Sequence, residues 1–257
     1  MNFSAQPSTT PRVVLVTGAG TGIGRATAHA FAGQGPEVEV VVVGRRAEPL
    51  ADTARSHPGR IHPLVADITD AEAPEAVVRE VLDRHGRLDV LVNNAGIVRS
   101  GGIGSLTADG IEAQLATNLI AAVLLSQAAL PALEASRGVI VNVSTSVGQR
   151  GWPGNSVYAA SKAALEVVTR SWAVELAPRG VRVVAVAPGA IETPIGEHSG
   201  LSRAQQDAVR RWQIGHTPLG RIGLPTEVAW AITQLASPQA SFVTGVVLPV
   251  DGGAVVG

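Results

Sequence analysis

The sequence predicts a single doubly wound α/β domain whose parallel sheet has about seven strands. Three observations lead to this fold class. Short apolar runs rich in valine recur along the chain, stretches with a helical pattern separate them, and a glycine-rich turn follows the first run. Near-continuous apolar runs are typical of strands that a parallel sheet buries on both faces. Their regular alternation with helices predicts successive βαβ units.

The predicted strands are the apolar runs at residues 13–16, 38–43, 61–65, 88–92, 139–143, 181–187 and 246–250. The predicted helices lie at residues 23–34, 71–85, 106–135, 156–178, 203–213 and 226–236. The stretch 190–223 is long and mostly polar, and it lies between the last two strands. A long excursion of this kind predicts a lid or a substrate-binding loop.

The chain has 257 residues, which suits one domain of this class. Residues 1–11 are polar and contain proline, so we expect a flexible leader without the features of a signal peptide. Residues 12–257 are then expected to form one domain.

The composition excludes several functional classes. The chain has no cysteine, which removes disulfides, a thiolate nucleophile and a cysteine zinc site. Its formal net charge is −1, so the charge balance favours neither nucleic acid nor an anionic membrane surface. Apolar runs of membrane-spanning length are interrupted by charges or turn residues. We therefore expect a soluble, cytoplasmic protein with no metal ion, nucleic acid or membrane partner.

The glycine-rich turn predicts a dinucleotide-binding site of Rossmann type. Gly18, Gly22 and Gly24 follow the first strand, with Thr21 and Ile23 between them, and a helix begins there. Glycines let the backbone approach a pyrophosphate closely, and the N-terminus of the emerging helix attracts its charge. The spacing is Gly-x-x-x-Gly-x-Gly rather than the usual G-x-G-x-x-G. The alternative interpretation is a turn that serves only helix–strand packing.

The end of the second strand indicates which dinucleotide fits. Folds specific for NAD place an acidic residue there for the ribose 2′-hydroxyl, whereas an arginine accommodates a 2′-phosphate. This chain has Gly44 followed by Arg45 and Arg46. The pattern predicts a preference for NADP(H) with NAD(H) still possible, because Thr21 adds no second cation. The alternative is that both arginines are solvated and open a helix.

A tyrosine and a lysine one helical turn apart are the candidate catalytic pair. Tyr158 is the only tyrosine, and Lys162 is the only lysine among 20 basic residues. The i, i+4 spacing places both side chains on one helix face. A free phenol has a pKa near 10, and a nearby ammonium lowers it toward the range that a general acid/base needs. The alternative is an ordinary pair on the surface of a helix.

Together these residues resemble the short-chain dehydrogenase/reductase family, over about residues 12–253 and with motifs in the family's order. The resemblance implies cofactor contacts from Tyr158 and Lys162 as well as from residues that follow three later strands. These are Asp67, Ile68, Asn94, Ala95, Gly96, Pro188, Gly189, Ile191 and Thr193. It also implies a Rossmann-type fold, a ketone or secondary-alcohol substrate, and a homo-oligomer, specifically a tetramer. Apolar helices at 106–135 and 156–178 would pair between subunits.

The resemblance assigns four catalytic roles. Tyr158 donates the proton, Lys162 lowers the pKa of Tyr158 and holds the nicotinamide ribose, and Asn118 anchors a water that connects Lys162 to solvent. The family's carbonyl-orienting serine is replaced by Thr145, which keeps the hydroxyl. Ser144 or Ser146 could substitute, but strand alternation points each to the face opposite Thr145.

The substrate itself is not determined by the sequence. Candidate pocket residues are Val98, Gln149, Trp152, Ile195 and His198, and Arg99 and Arg150 could clamp a carboxylate if they turn inward. Two other functions remain open, namely a dinucleotide-binding redox sensor and a non-redox lyase or epimerase. A sensor would be expected to lack Tyr158 or Lys162, and a lyase or epimerase would consume no net cofactor.

Overall fold

A computed structural model describes residues 11–149 and 153–257. Within these residues the strands are β1 (Arg12–Thr17), β2 (Val38–Gly44), β3 (Ile61–Val65), β4 (Val90–Asn93), β5 (Val139–Val143), β6 (Arg182–Pro188) and β7 (Val247–Val250). The α-helices are α1 (Gly22–Ala32), α2 (Ala47–Arg55), α3 (Ala73–His85), α4 (Ala108–Leu115), α5 (Ala121–Ser136), α6 (Ser156–Leu176), α7 (Arg203–Gly215) and α8 (Pro225–Ala236).

The seven strands form one sheet in the order β3-β2-β1-β4-β5-β6-β7, and every neighbouring pair is parallel. The predicted fold class is therefore confirmed. The chain winds outward from β1 to β3, returns to pair β4 with β1, and continues outward to β7. Doubly wound sheets bind ligands in the crevice outside the carboxyl ends of the strands where this direction reverses. Here that crevice lies beyond β1 and β4.

Two apolar layers cover the two faces of the sheet. Alternate residues of β1 show the division, since Val14 and Val16 pack into one layer and Val13 and Leu15 into the other. The first layer is completed by α1 and α8, which contact each other closely through residues such as Phe31. The second layer is completed by α3, α5 and α6. Burial on both faces explains why the strands are continuous apolar runs.

The helix between β2 and β3 is the main element that the apolar runs do not predict. Helix α2 is short, and it buries only Leu50 and Thr53. Its N-cap residue is Arg46, which agrees with the alternative interpretation that these arginines open a helix. The weak apolar stripe explains why periodicity misses this helix.

The predicted helix at 106–135 is interrupted. A π-turn at Ala116–Ile120 separates α4 from α5, so the segment Ala108–Ser136 is helical throughout but not α-helical throughout. By length and mean hydropathy alone this segment could span a membrane. In the fold its residues Leu125, Ala129 and Leu133 pack fully buried in the second apolar layer. The predicted leader at 1–11 lies, except for its last residue, outside the described residues.

Candidate active site

The glycine-rich turn connects β1 to α1 at the edge of the crevice. Gly18 and Gly22 have φ values of 64° and 53°, which favour glycine. A Cβ on Gly24 would lie 2.5 Å from the Gly18 carbonyl oxygen and 2.5 Å from Asn94 Nδ2. Because a side chain on residue 24 would clash with these atoms, only glycine fits at this position of the turn. Helix α1 begins at this turn without a side-chain cap and without an acidic residue in its first turn, so its first N–H groups are available to an anion.

Three hydrogen bonds connect the segment after β4 to the end of β1. Asn94 Nδ2 donates to the Thr17 carbonyl oxygen at 2.8 Å, and the backbone N–H groups of Asn94 and Ala95 donate to Thr17 Oγ1 at 3.1 and 3.0 Å. These hydrogen bonds hold Ala95 and Gly96 beside the glycine-rich turn. Thr17 was not identified as a site residue from the sequence, although a buried threonine that ends a strand before a glycine turn is a usable signal.

Asn118 occupies the middle of the π-turn and is almost fully buried. Its side-chain oxygen accepts from the backbone N–H of Ile97 at 2.8 Å, and its Nδ2 donates to the Ile97 carbonyl at 3.0 Å and to Ser161 Oγ at 3.1 Å. Asn118 therefore joins the loop after β4 to helix α6. π-turns commonly occur at functional positions, where they project a side chain that an α-helix would not.

Lys162 is 3% exposed and its Nζ donates to the carbonyl oxygen of Val143 at 2.7 Å. Burial lowers the pKa of Lys162 to about 8, because the charged form loses hydration. A Cβ on Gly96 would lie 3.3 Å from Lys162 Nζ and 3.4 Å from Asn118 Oδ1. Gly96 thus keeps space open in front of the ammonium group.

Tyr158 and Thr145 meet at the same edge of the sheet. Burial raises the pKa of the Tyr158 phenol, and a hydrogen bond with Thr145 lowers it in part. The Thr145 hydroxyl also donates to the Pro188 carbonyl at 3.3 Å. The prediction that Lys162 lowers the pKa of Tyr158 stays a prediction. The Lys162 ammonium group donates to the Val143 carbonyl oxygen, and burial is the largest influence on the pKa of the phenol.

The three hydroxyl candidates are separated by their contacts. The Ser144 hydroxyl donates to the Lys162 carbonyl at 3.1 Å and to Glu166 Oε1 at 2.8 Å. Both hydrogen bonds of the Ser144 hydroxyl are therefore made to helix α6. Ser146 begins a short 3₁₀ turn and is buried. Thr145, in contrast, is close enough to Tyr158 to lower the pKa of its phenol, so the structure brings together the pair that the sequence favours.

The chain after β6 returns to the glycine turn. A Cβ on Gly22 would lie 3.1 Å from Thr193 Cγ2, so these two motifs face each other across the crevice. Ile191 forms an isolated parallel bridge with Gly223, which closes the base of the predicted substrate loop. A Cβ on Gly189 would lie 2.8 Å from the Asp251 Cα, so only glycine permits β6 and the C-terminal turn to approach this closely.

The residues predicted to choose the dinucleotide also lie together. Arg45 Nη1 is 3.7 Å from Asp67 Oδ2, and the Arg45 side chain is 69% exposed. Burial raises the pKa of Asp67, but two hydrogen bonds from Thr69 and the charge of Arg45 together outweigh burial, so that this pKa is lowered. The Ile68 side chain packs into the second apolar layer, so a contact from this residue to a cofactor would come from its backbone.

An open cleft of about 280 Å³ lies beside this site. Arg99, Ser100 and Ser199 are among its lining residues. The Ser100 N–H donates to the Ser199 carbonyl at 3.0 Å, and the Ser100 hydroxyl donates to Asn155, the residue that precedes α6, at 3.0 Å. Loops after β4, β5 and β6 therefore converge here. Arg99, a suggested clamp for a carboxylate, has other contacts of its own.

The predicted pocket residues are placed only in part. Val98 is partly buried, Gln149 is exposed and Ile195 is 40% exposed, and none of the three lines the cleft. Arg150 and Trp152 lie outside the described residues, as does the side chain of His198. The pocket predictions therefore stay predictions.

Beneath the site lies a buried polar network that sequence analysis did not identify. Asn93 Nδ2 donates to Ser126 Oγ and to Asn142 Oδ1, each at 2.9 Å, and Asn142 Nδ2 donates to Thr169 Oγ1 at 2.8 Å. This network links β4 and β5 to the helices α5 and α6. Polar residues inside otherwise apolar strands are the signal that could have revealed it.

The crevice fits a dinucleotide on its own geometry. The glycine turn, the uncapped start of α1 and the open space that Gly96 leaves in front of Lys162 form a cradle that added side chains would fill. The fold and this crevice define a dinucleotide-binding protein of Rossmann type.

Comparison with known proteins identifies the family. The family model described as Enoyl-(Acyl carrier protein) reductase matches residues 18–255. A 3-oxoacyl-[acyl-carrier-protein] reductase of Thermotoga maritima is 42% identical over 247 residues, which cover 95% of this chain and 98% of that protein. The protein of the same name from Vibrio cholerae is 37% identical over 243 residues, which cover 94% and 96%.

A solved structure agrees. The crystal structure of a 3-ketoacyl-(acyl-carrier-protein) reductase from Brucella melitensis complexed with NADH has a TM-score of 0.88 and 32% identity, and the match covers 97% of this chain and 100% of that one. The present chain belongs to the short-chain dehydrogenase/reductase family. It is an oxidoreductase of that family that uses a nicotinamide cofactor.

Proposed function

We propose that this chain reduces the ketone group of 3-oxoacyl thioesters with NADPH as the preferred hydride donor. The observation that carries the proposal is that the Tyr158 phenol and the Thr145 hydroxyl lie side by side at the carboxyl edge of the sheet, with Lys162 one helical turn beyond Tyr158. The substrate class rests on the names of the similar proteins from Thermotoga maritima, Vibrio cholerae and Brucella melitensis.

The raised pKa of Tyr158 suits the reductive direction. A phenol that stays protonated at neutral pH is ready to give its proton to the carbonyl oxygen as that oxygen becomes an alcohol. The Thr145 hydroxyl lies beside the phenol. Both groups can therefore donate a hydrogen bond to the same carbonyl oxygen of the substrate. Each hydrogen bond strengthens as negative charge develops on that oxygen.

Lys162 is placed to hold the ribose next to the nicotinamide and to resupply the proton. Its pKa of about 8 leaves it charged at neutral pH but able to release a proton with little driving force. The contacts of Asn118 with Ile97 and Ser161 fix the loop in front of this ammonium group. The nicotinamide, when bound, supplies the hydride, and the protein supplies orientation and proton transfer.

The preference for NADPH is supported by Arg45, whose exposed guanidinium lies at the end of β2. Asp67 lies 3.7 Å from that guanidinium and offsets part of its charge. A bidentate contact between an arginine and a phosphate still exceeds an exposed ion pair in strength. We therefore propose a preference rather than an exclusion of NADH.

The protein is proposed to act as a homo-tetramer. Apolar side chains project from the outer faces of the helices around the active site, where the described chain does not cover them. These are Ile120, Leu124, Val167 and Val174, and Val174 is 79% exposed. A cytoplasmic location stays a prediction.

The test is the loss of NADPH absorbance with an acetoacetyl thioester, measured beside simple aliphatic and cyclic ketones and repeated with NADH. The proposal expects turnover with the thioester, and a higher kcat/KM for it than for any simple ketone. Turnover confined to simple ketones would overturn the substrate class. Binding of NADPH without turnover of any ketone would favour the redox sensor.

A further inference from the structure

A second cluster of chemically active side chains lies at the edge of the sheet opposite the proposed active site. Glu39 and His62 are the second residues of β2 and β3, and His85 is the last residue of α3. One ligand atom from each of the three lies within 4.8 Å of the other two. The cluster is at the amino-terminal ends of the strands, whereas the crevice is at their carboxyl ends.

The three side chains are packed against one another. His62 Nε2 lies 2.5 Å from Glu39 Oε2, and the rings of His62 and His85 have centroids 4.9 Å apart. The His62 and Glu39 side chains are 28% and 19% exposed. The Nε2 atom of His85 is buried and has no hydrogen-bond partner among the described residues. A buried polar nitrogen without a partner costs free energy, which a ligand bound there would recover.

The donor set matches one class of ion. Two imidazole nitrogens and one carboxylate oxygen are ligands that Zn²⁺ commonly takes, at about 2.0–2.2 Å, with a fourth position left to solvent. Ligand atoms around such an ion are about 3.4 Å apart in a tetrahedral arrangement. His62 Nε2 and Glu39 Oε2 are closer than this, at 2.5 Å, and all three ligand atoms lie within 4.8 Å of one another, so side-chain rotation would have to complete the site. Oxygen-preferring cations such as Mg²⁺ fit a site with two imidazoles poorly.

The cluster of Glu39, His62 and His85 is open to solvent, and neighbouring charged residues influence whether it can hold a cation. It opens onto a cleft of about 280 Å³ that Arg84 also lines. Arg84 disfavours a cation, but its guanidinium is paired with Glu80 at 2.5 Å. Burial, and then the neighbouring His62, lowers the pKa of His85. His85 is therefore neutral at neutral pH, which is the form that binds a metal ion.

We propose that Glu39, His62 and His85 form a zinc site that joins β2, β3 and α3 at the amino-terminal edge of the sheet. The sequence predicts no metal site because the three residues are far apart along the chain and form no recognised motif. The site is structural, because it is at the edge of the sheet opposite Tyr158. The proposal does not depend on the proposed function.

The test is titration of the full-length, chelator-treated protein with zinc sulfate, followed by calorimetry and by the midpoint of thermal unfolding. We expect one equivalent to bind and the Tm to rise. The substitution His85→Gln should weaken binding at least about tenfold and abolish the rise in Tm. The matched control is His57→Gln, because His57 and His29 form another histidine pair, with ring centroids 5.6 Å apart, that belongs to no candidate metal cluster among the described residues. Equal binding by the parent and His85→Gln, or no saturable binding by the parent, would overturn the proposal.

A second measurement covers the case in which His85→Gln folds poorly. Glu39→Gln keeps the shape of the side chain and removes only the charge, so Co²⁺ binding to this variant can be followed through visible absorption. The parent should give the intense bands of four-coordinate Co²⁺, and the variant should give weaker bands or none. Binding to the parent should weaken in acid, because only an unprotonated imidazole binds a metal ion. Identical Co²⁺ spectra for both proteins would refute the site.

Discussion

Asn118 Nδ2 donates to the Ser161 hydroxyl at 3.1 Å, and that hydroxyl donates in turn to the carbonyl oxygen of Tyr158 at 2.7 Å. The π-turn is thus connected by two hydrogen bonds to the backbone of the proposed proton donor. Ser161 is fully buried, so the connection is shielded from water. The position of Tyr158 therefore depends on a helix from another part of the chain as well as on its own.

Replacing Tyr158 with phenylalanine should abolish most turnover. The change removes one hydroxyl and leaves the ring, so packing should survive while the proton donor is lost. General acid–base groups contribute about 10²–10⁴-fold to rate, and we expect kcat to fall within that range. The check is kcat together with the dissociation constant for NADPH measured by fluorescence. A kcat of Tyr158→Phe close to that of the parent would contradict the role of Tyr158 as proton donor.

Two substitutions at Thr145 separate the role of its hydroxyl from that of its methyl group. Thr145→Ser keeps the donor and should retain most activity. Thr145→Val keeps the shape and removes the donor, and it should lower kcat by about 10²–10³-fold, the usual effect of losing one donor to a developing oxyanion. The measurement is kcat/KM of both variants with the same ketone. If both variants retain activity, another residue orients the carbonyl.

Removing the charge of Arg45 should narrow the difference between the two cofactors. The parent is expected to favour NADPH by about ten- to a hundredfold in kcat/KM, which corresponds to about 1.4–3 kcal/mol. Arg45→Ala should reduce that ratio by weakening the reaction with NADPH alone. Arg55→Ala is the control, because Arg55 is also exposed and paired with an acid, Asp52, but lies at the far end of α2. A parent that prefers NADH, or an unchanged ratio in Arg45→Ala, would contradict the proposal.

Lys162 should make the folded protein more stable as the pH rises from about 8 to about 10.5. Its pKa is about 8 in the folded protein and 10.5 when unperturbed. Between these values the unfolded chain binds the extra proton, so raising the pH favours the folded state. Below pH 8 both states are charged, and the burial cost is constant.

The measurement is the free energy of unfolding in urea, for the parent and for Lys162→Met. The parent should gain about 3 kcal/mol relative to the variant across this window, because each pKa unit is worth about 1.4 kcal/mol. Lys162→Arg is the control, since a guanidinium stays charged throughout. A constant difference between parent and Lys162→Met would contradict the lowered pKa.

A charge on the outer face of α6 should disrupt the proposed tetramer. Val174 is 79% exposed on that helix, and Val174→Asp would place a carboxylate where an apolar contact is expected. Light scattering should give four copies for the parent and fewer for the variant. Val209→Asp on α7 is the matched control, because Val209 is 38% exposed on a helix outside the proposed contact. A monomeric parent at micromolar concentration would refute the tetramer.

The strands were predictable because burial on both faces leaves little freedom in their composition. Predicted runs such as 61–65 and 139–143 coincide with β3 and β5, and the others differ by one or two residues at their ends. The helix α2 was missed because only Leu50 and Thr53 are buried on it. Short helices with little apolar surface depend on tertiary contacts rather than on periodicity.

The sequence predicts those parts of the candidate site where the backbone tolerates only one residue type. It predicts less well the contacts that depend on how separate elements pack together. Gly18, Gly22 and Gly24 follow from the close approach of backbones, and the structure shows the clashes that other residues would cause. The contact between Lys162 and Val143, in contrast, could not be inferred from spacing along a helix. This contact directs the ammonium group to a carbonyl group on β5, and Lys162 is not among the causes of the Tyr158 pKa shift.

The π-turn at Ala116–Ile120 makes this part of the chain sensitive to length more than to side-chain identity. Each residue of an α-helix advances the chain by about 100° around its axis, and a π-turn accommodates one residue more than an α-turn. Deleting one residue here would let the segment become a regular α-helix with α4 and α5 still nearly in register, but Asn118 would lose the turn that directs its side chain to Ile97 and Ser161. Gln114, whose Oε1 accepts from the Arg99 N–H at 3.0 Å, would keep its contact with the loop after β4. A library of single-residue deletions should find fewer survivors across this turn than a library of substitutions at the same positions.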